Sequence, residues 1–309
     1  MNTISEPLNN LGSGSSTPDI IKGDIAEKFN AIPDHGKYYC HTANPGAVEI
    51  ASNHTQGIIR YKNFYITSSS DSKLGFFMVT ENVKSGKWFK FDCSDYNHPG
   101  GIQSLGDYMV VPIEDGNKKS KIRLYNLSGM KFNDKGDNAP TLYKDFSIDR
   151  SKGASAAGIT NQSIQNASRY VIAVYNEPSK DIDIYVAPAE QIALEAAKFI
   201  KTCSFAVPDE YKGFSSVSLV QNDQNDIYMI GMRKSSAGDD WADLFKIDID
   251  NKQFSNLVSR RFFTESHTIH GVDGVRFRWA TGIYCSDGNI KLLATQRNYV
   301  RKRLDINEF

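Results

Sequence analysis

Six histidines stand in the 309-residue chain, at positions 35, 41, 54, 98, 267 and 270. Imidazole changes its protonation near neutral pH and is the commonest metal ligand, so its placement is the first guide to chemistry. Two of the six occupy matching phrases. NHTQGIIRYKNFYITSSSD (53–71) and NHPGGIQSLGDYMVVPIED (97–115) coincide without a gap at Asn53/Asn97, His54/His98, Gly57/Gly101, Ile58/Ile102 and Asp71/Asp115. His54 and His98 are therefore expected at equivalent places in two copies of one unit, as acid/base groups. Glu177 in YNEP and Glu114 in PIED end comparable apolar runs, and a carboxylate there, Glu177 above all, supplies a further acid or base. His267-Thr-Ile-His270, followed by Asp273, is the one metal-like spacing; it lacks a third named ligand, so no cofactor is expected and a metal ion on His267 and His270 is the lesser alternative. There is no G-x-G-x-x-G, P-loop, G-x-S-x-G or CxxC, which leaves nucleotide cofactors and serine-hydrolase chemistry unsupported.

The elements that hold these residues follow from repetition. Small-residue starts like those after His54 and His98 recur in SAAGITNQSI from Ser155, FSSVSLVQND from Phe214 and WATGIYCSDG from Trp279, spaced 44, 57, 59 and 65 residues apart. Each start is followed by two more alternating, β-branched or aromatic runs separated by Gly, Asn and Asp turns, and in most units by a fourth. Repeated four-strand units of this period predict an all-β, five-bladed β-propeller. Gly57, Gly101, Gly158 and Gly282 fall where innermost strands crowd at the axis, with Val217 as the departure in unit four. Only 30 residues remain from Trp279, too few for four strands. GDIAEKFNAI (23–32) is accordingly expected to supply the missing outer strand and close the ring, which removes a free edge. One helix is expected, AEQIALEAAKFI (189–200), inserted between strands three and four of unit three. Residues 1–22, rich in Ser, Asn and Gly, read as a disordered lead to a single domain over 23–309.

In plan, this arrangement over residues 23–309 resembles the five-bladed propellers of tachylectin-like lectins and furanosidase-type glycoside hydrolases, without a shared sequence motif. Propellers bind ligands where the connections into innermost strands gather, around the channel mouth. All six histidines are expected in those connections or at the strand starts. The long connections Pro33–Asn53 and Thr264–Arg278 overhang one sector. The inner-start column reads His54, His98, Ser155, Phe214 and Trp279. Trp279 and Phe214 are expected as walls, and Ser155, Gln56, Thr281 and Arg278 as further ligand contacts.

Bulk composition narrows the partners. Lys plus Arg and Asp plus Glu are both 36, so there is no basic excess for nucleic acid or an anionic membrane. No apolar run is long enough to span a bilayer, and no signal peptide is read. Four scattered cysteines fit reduced thiols and a cytoplasmic protein. The expected function is a small-molecule-converting enzyme of hydrolase, lyase or cyclase type, with one asymmetric His/aromatic pocket and a small-molecule or sugar ligand. The alternative is a non-catalytic propeller that binds carbohydrate or a protein partner.

Overall fold

The computed structural model describes residues 20–42, 54–71, 74–81, 85–90, 96–116, 119–133, 136–164, 167–189, 194–265, 274–299 and 303–309. The metal candidates His267 and His270 lie outside the described residues, as do residues 1–19 of the expected lead. The chain folds as a β-propeller, and its strands follow the repeat. Unit one runs His54–Tyr61, Phe64–Ser70, Gly75–Glu81 and Ser85–Lys90, each antiparallel to the one before. Unit three is Gly153–Ile164, Ala167–Glu177, Asp181–Pro188 and Ile200–Ala206; unit four is Phe214–Gln221, Ile227–Lys234, Asp240–Asp248 and Gln253–Phe262. Unit two is less regular. Its inner strand is split into His98–Pro99 and Gln103–Leu105 against Tyr108–Glu114, and two short pieces, Thr141–Leu142 and Ile148–Arg150, line the outer edge of Ser120–Asn126.

The apolar faces meet unit against unit. Ile59 and Phe77 of unit one pack with Met109 and Val111 of unit two. Val110 and Leu124 of unit two pack with Ile159 and Ile172 of unit three. Tyr175 and Ile184 join Phe214 and Phe245 of unit four, and Ile230 and Leu244 join Leu292 of unit five, whose strands are Thr281–Ser286, Asn289–Thr295 and Arg303–Glu308. Ile58 and Phe76 of unit one close the circuit with Leu293 and Ile306. The core is thus distributed between the sheets, as alternation along every strand requires.

At the axis the strands approach backbone to backbone. A Cβ on Gly57 would lie 2.6 Å from the Ile102 nitrogen, one on Gly101 2.7 Å from the Ser215 carbonyl oxygen, and one on Gly158 2.9 Å from the Val217 carbonyl oxygen. Each of these glycines therefore abuts another unit's backbone, although the bulges after Thr55 and Ala154 set Gly57 and Gly158 at different levels rather than in the one column expected. Buried Gln103 ties three units here. Its side-chain oxygen accepts from the Ile159 and Leu219 amides at 2.8 Å each, and its amide donates to the Leu219 carbonyl at 2.7 Å. A buried amide so satisfied costs little and fixes the register of the strands beneath the mouth.

The last unit is completed by the start of the chain, but through a different segment from the one expected. Lys37–Thr42 pairs antiparallel with Arg303–Glu308, Tyr38 opposite Asn307 and His41 opposite Leu304. Residues 25–30, inside the predicted strand, form a helix instead. Ile25 and Phe29, four residues apart, share one helical face and bury fully between units four and five. The Asp24 carboxylate caps the helix by accepting from the Ala26 amide at 2.6 Å. Asp24→Ala is expected to cost about 1 kcal/mol, read as a lower urea midpoint with an unchanged slope. The lead also ends sooner than residue 22: Ile21 is buried and its amide donates to the Gln221 carbonyl. The helix expected over 189–200 is not seen in the described part of that stretch, which holds a single 3-10 turn, Leu194–Ala196, before Ile200 begins a strand. Its place between strands three and four of unit three is as expected.

Candidate active site

Strand register places the polar residues of the mouth. In units one to three the first residue of the inner strand faces the last residues of strand two: His54 opposite Ser70, His98 opposite Glu114, Gly153 opposite Glu177. Glu114 and Glu177 are thus structurally equivalent. One step further in, the ladder skips a residue between Thr55 and Gly57, Ala154 and Ala156, and Phe214 and Ser216. The bulged residues are Gln56, Ser155 and Ser215. A bulge frees its side chain from the alternating faces and re-aims it, a device common beside active sites.

The two imidazoles meet. His54 Nε2 lies 3.2 Å from His98 Nε2, and the Gln56 amide reaches the same His98 nitrogen at 3.2 Å. Ser70 Oγ is 3.4 Å from His54 Nε2. His98 Nδ1 faces Glu114 Oε2 at 3.7 Å. One tautomer satisfies the set: His98 carries its proton on Nδ1 toward Glu114, and its Nε2 accepts from His54 and Gln56. Burial holds the His98 pKa below the ordinary imidazole range, so the ring is neutral at pH 7. The Glu114 carboxyl is pushed up, first by burial and further by the charges of Glu177 and Asp115, against the Ala154 amide that donates to its Oε1 at 2.7 Å.

Gly153 makes room for this cluster. A Cβ there would lie 2.6 Å from Glu114 Oε1 and 3.0 Å from the Glu177 carbonyl oxygen. Glu177 is paired with Lys180, and the turn that carries both is shaped by Asp181, which accepts from Ser179, from Asn176 at 2.9 Å and from Lys152 at 3.2 Å. Burial raises the Asp181 pKa, but those hydrogen bonds outweigh it and bring it to about 2. Because the folded value is depressed, this stabilisation is present above the unfolded carboxylate range and is lost as pH falls from about 4 to about 2. Asp181→Asn should flatten the acid limb of thermal stability in that window, which calorimetry across pH checks.

The remaining sequence candidates are placed less uniformly. Trp279 is half-buried with two guanidiniums over its ring, Arg278 at 4.8 Å and Arg297 at 4.9 Å from the centroid. Arg297, just past the strand Asn289–Thr295, adjoins unit one: the Thr55 amide donates to its carbonyl at 2.8 Å, and Thr55 Oγ1 to the Gln296 carbonyl at 2.6 Å. The Ser155 hydroxyl oxygen is buried and has no hydrogen-bond partner among the described residues. Phe214 is not a wall of the mouth. It is 2% exposed and meets Tyr175 and Phe245 edge-on, because it occupies the position before the bulge, equivalent to Thr55. Thr281 is fully buried and bonded to Ser215 and Ser216 at 2.9 and 2.7 Å, so it serves strand packing at the axis.

The histidines do not all gather at one face. His35 is exposed, pairs with Asp34 and stacks on Phe263, and His41 is buried in the closing outer strand, edge-on to Tyr65. Sequence reasoning paired Glu114 with Glu177 as a candidate acid and base, with Glu177 put first, and did not single out Arg297 beside Trp279. The signal for Glu114 was present in its equivalence to Glu177. Among the described residues no three His, Cys, Asp or Glu side chains are grouped to hold a metal ion. No helix of the described residues is long and apolar enough to cross a membrane.

The class this fold defines is the β-propeller, of the form seen in furanosidase-type glycoside hydrolases. A GH62 hydrolase solved with xylotriose superposes with a TM-score of 0.52 at 7% identity, over 91% of this chain and 100% of that one. An α-L-arabinofuranosidase from Podospora anserina, solved with cellotriose, gives 0.47 at 9% identity over 96% and 99%. No family model matches the chain, and no curated protein matches it.

Proposed function

We propose that this protein is a carbohydrate-active enzyme of hydrolase type, a five-bladed propeller with one asymmetric pocket at the channel mouth. The observation that carries the reading is the contact of His54 and His98 through their Nε2 atoms, with Glu114 behind His98. His54 exchanges a proton with the substrate or the attacking water. His98 accepts or returns that proton, and Glu114 stabilises the imidazolium that forms. Glu177 is the second carboxylate of the set, and its charge helps to keep Glu114 at a raised pKa. Trp279 offers a face for a sugar ring, while Gln56 offers hydrogen bonds.

A panel of aryl furanosides and pyranosides, with arabinan and xylan oligosaccharides, tests this. Turnover by the wild type and its loss in His54→Ala support it. Sugar binding with equal absence of turnover in both proteins points instead to the non-catalytic carbohydrate-binding reading. Glu114→Gln is expected to lower kcat by about 10-fold or more with little change in KM, since its role is to stabilise charge that develops during the reaction; a change confined to KM contradicts that role.

A further inference from the structure

We infer that Gln56 is the positioning residue of the imidazole pair: its side-chain amide crosses the seam between units one and two and fixes which nitrogen of the His98 ring carries the proton. The inference rests on the acid–base reading above. The ladder between His54–Tyr61 and Phe64–Ser70 skips Gln56, so its side chain leaves the alternation of the strand. The equivalent bulged residues are short. Ser215 turns its hydroxyl to the Phe277 carbonyl and to Thr281, and Ser155 finds no partner among the described residues. The longer Gln56 side chain spans the seam and brings its amide nitrogen to 3.2 Å from His98 Nε2. His98 needs such a hold. It stands on the two-residue strand His98–Pro99, and none of the apolar clusters contains it, so hydrogen bonds rather than packing set its ring.

The choice of a glutamine follows from what each neighbour can do. The titratable groups that face the ring are His54 from unit one and Glu114 from the paired strand, with Glu177 and Asp115 acting on Glu114. Phe64–Ser70 and Gly75–Glu81 also pack against His98–Pro99, and at the mouth end they carry Ser70 and Gly75, which do not titrate. His54 Nε2, at 3.2 Å from His98 Nε2, can give or take a proton there, so that contact alone selects no tautomer. Glu114 Oε2 favours a proton on Nδ1, but at 3.7 Å it lies beyond hydrogen-bond distance. An amide N–H only donates. Held against Nε2, it leaves that nitrogen its lone pair and the proton on Nδ1. His98 is thereby presented to His54 as an acceptor, the state in which it can take a proton from its neighbour. The same bond favours the neutral ring, in the direction in which burial already acts on His98.

Long-range proton–nitrogen correlation spectra of the full chain, labelled at histidine nitrogen, read the tautomer directly; the His98 signal is the one lost in His98→Ala. The wild type is expected to show His98 with its proton on Nδ1. Gln56→Met keeps the length and bulk of the side chain but removes the donor. It should give a mixture of tautomers and a His98 titration moved to higher pH. Gln56→Glu substitutes an acceptor and should turn the ring to the Nε2–H form. On any glycoside the protein turns over, Gln56→Met should lower kcat about 10-fold or more and move the acid limb of kcat/KM upward. That limb reports the free enzyme, so loss of a sugar contact would leave it in place. A wild-type ring protonated on Nε2, or a proton that stays on Nδ1 in both variants, overturns the inference. So does a Gln56→Met enzyme with wild-type kcat and an unmoved acid limb. The spectra require no turnover: if they change as expected and no glycoside in the panel is cleaved, the hold on His98 stands and the enzymatic reading falls.

Discussion

His98→Ala is expected to lower kcat by about 10²–10⁴-fold on any glycoside the protein turns over, the usual worth of a positioned acid–base group. The reason is geometric. Removing the ring breaks the contact with His54 Nε2 and takes away the imidazole that faces Glu114 Oε2 and that Glu114 stabilises once protonated. His54 Nε2 then loses that support and retains the Ser70 hydroxyl at 3.4 Å. The fold should survive, because His98 is only partly buried at the mouth and none of the apolar clusters between units contains it. The pH profile separates a proton-transfer role from a packing role. Burial depresses the His98 pKa, so its neutral form persists below the ordinary imidazole range, near pH 6.5. The acid limb of kcat/KM should therefore lie lower than that value in the wild type and shift in His98→Ala and His98→Gln. A variant that keeps wild-type kcat and an unmoved acid limb would remove His98 from the chemistry.

Gly282→Ala is the stability counterpart. Gly282 follows Thr281, which pairs in parallel with Gly57, the seam where unit five meets unit one. A Cβ on Gly282 would fall well inside contact distance of the Ile58 backbone carbonyl oxygen. Backbone cannot yield as a side-chain tip can, so either the seam opens or both strands shift. A loss of about 3 kcal/mol is expected, seen as a fall of roughly 5 °C in Tm. Opening here has a further consequence, because the same seam carries Arg297 beside Thr55. Gly288→Ala in the turn between Thr281–Ser286 and Asn289–Thr295 makes a useful comparison. A Cβ there meets open space, and its positive φ of 70° is the only penalty. If Gly282→Ala melts no lower than Gly288→Ala, close approach at the axis is not what holds the ring together.

Much of this fold was legible before any coordinates. Alternating runs announced strands, and the period announced stacked four-strand units. The glycines at 57, 101, 158 and 282 marked the crowded axis, and all four do abut backbone of another unit. Equivalence of His54 with His98, and of Glu114 with Glu177, was also readable, since copies of one unit carry their residues to the same level. Neither the helix at residues 25–30 nor the burial of Phe214 was readable in the same way. IAEKFN serves as strand or helix until the groove between units four and five selects the face that pairs Ile25 with Phe29. Phe214 stands beside a bulge, and a one-residue shift in ladder register moves a side chain from one face to the other.

What the sequence determined alone was periodicity: which residues repeat, and so which share a level of the wheel. Local propensity and patterning suffice for that, because they act within a few residues of chain. The tertiary structure decided adjacency around the wheel. It set Lys37–Thr42 against Arg303–Glu308, Nε2 of one imidazole against Nε2 of another 44 residues away, and Arg297 against Thr55. Those neighbours are chosen by burial between sheets and by closure of the ring, forces that act between segments remote in sequence.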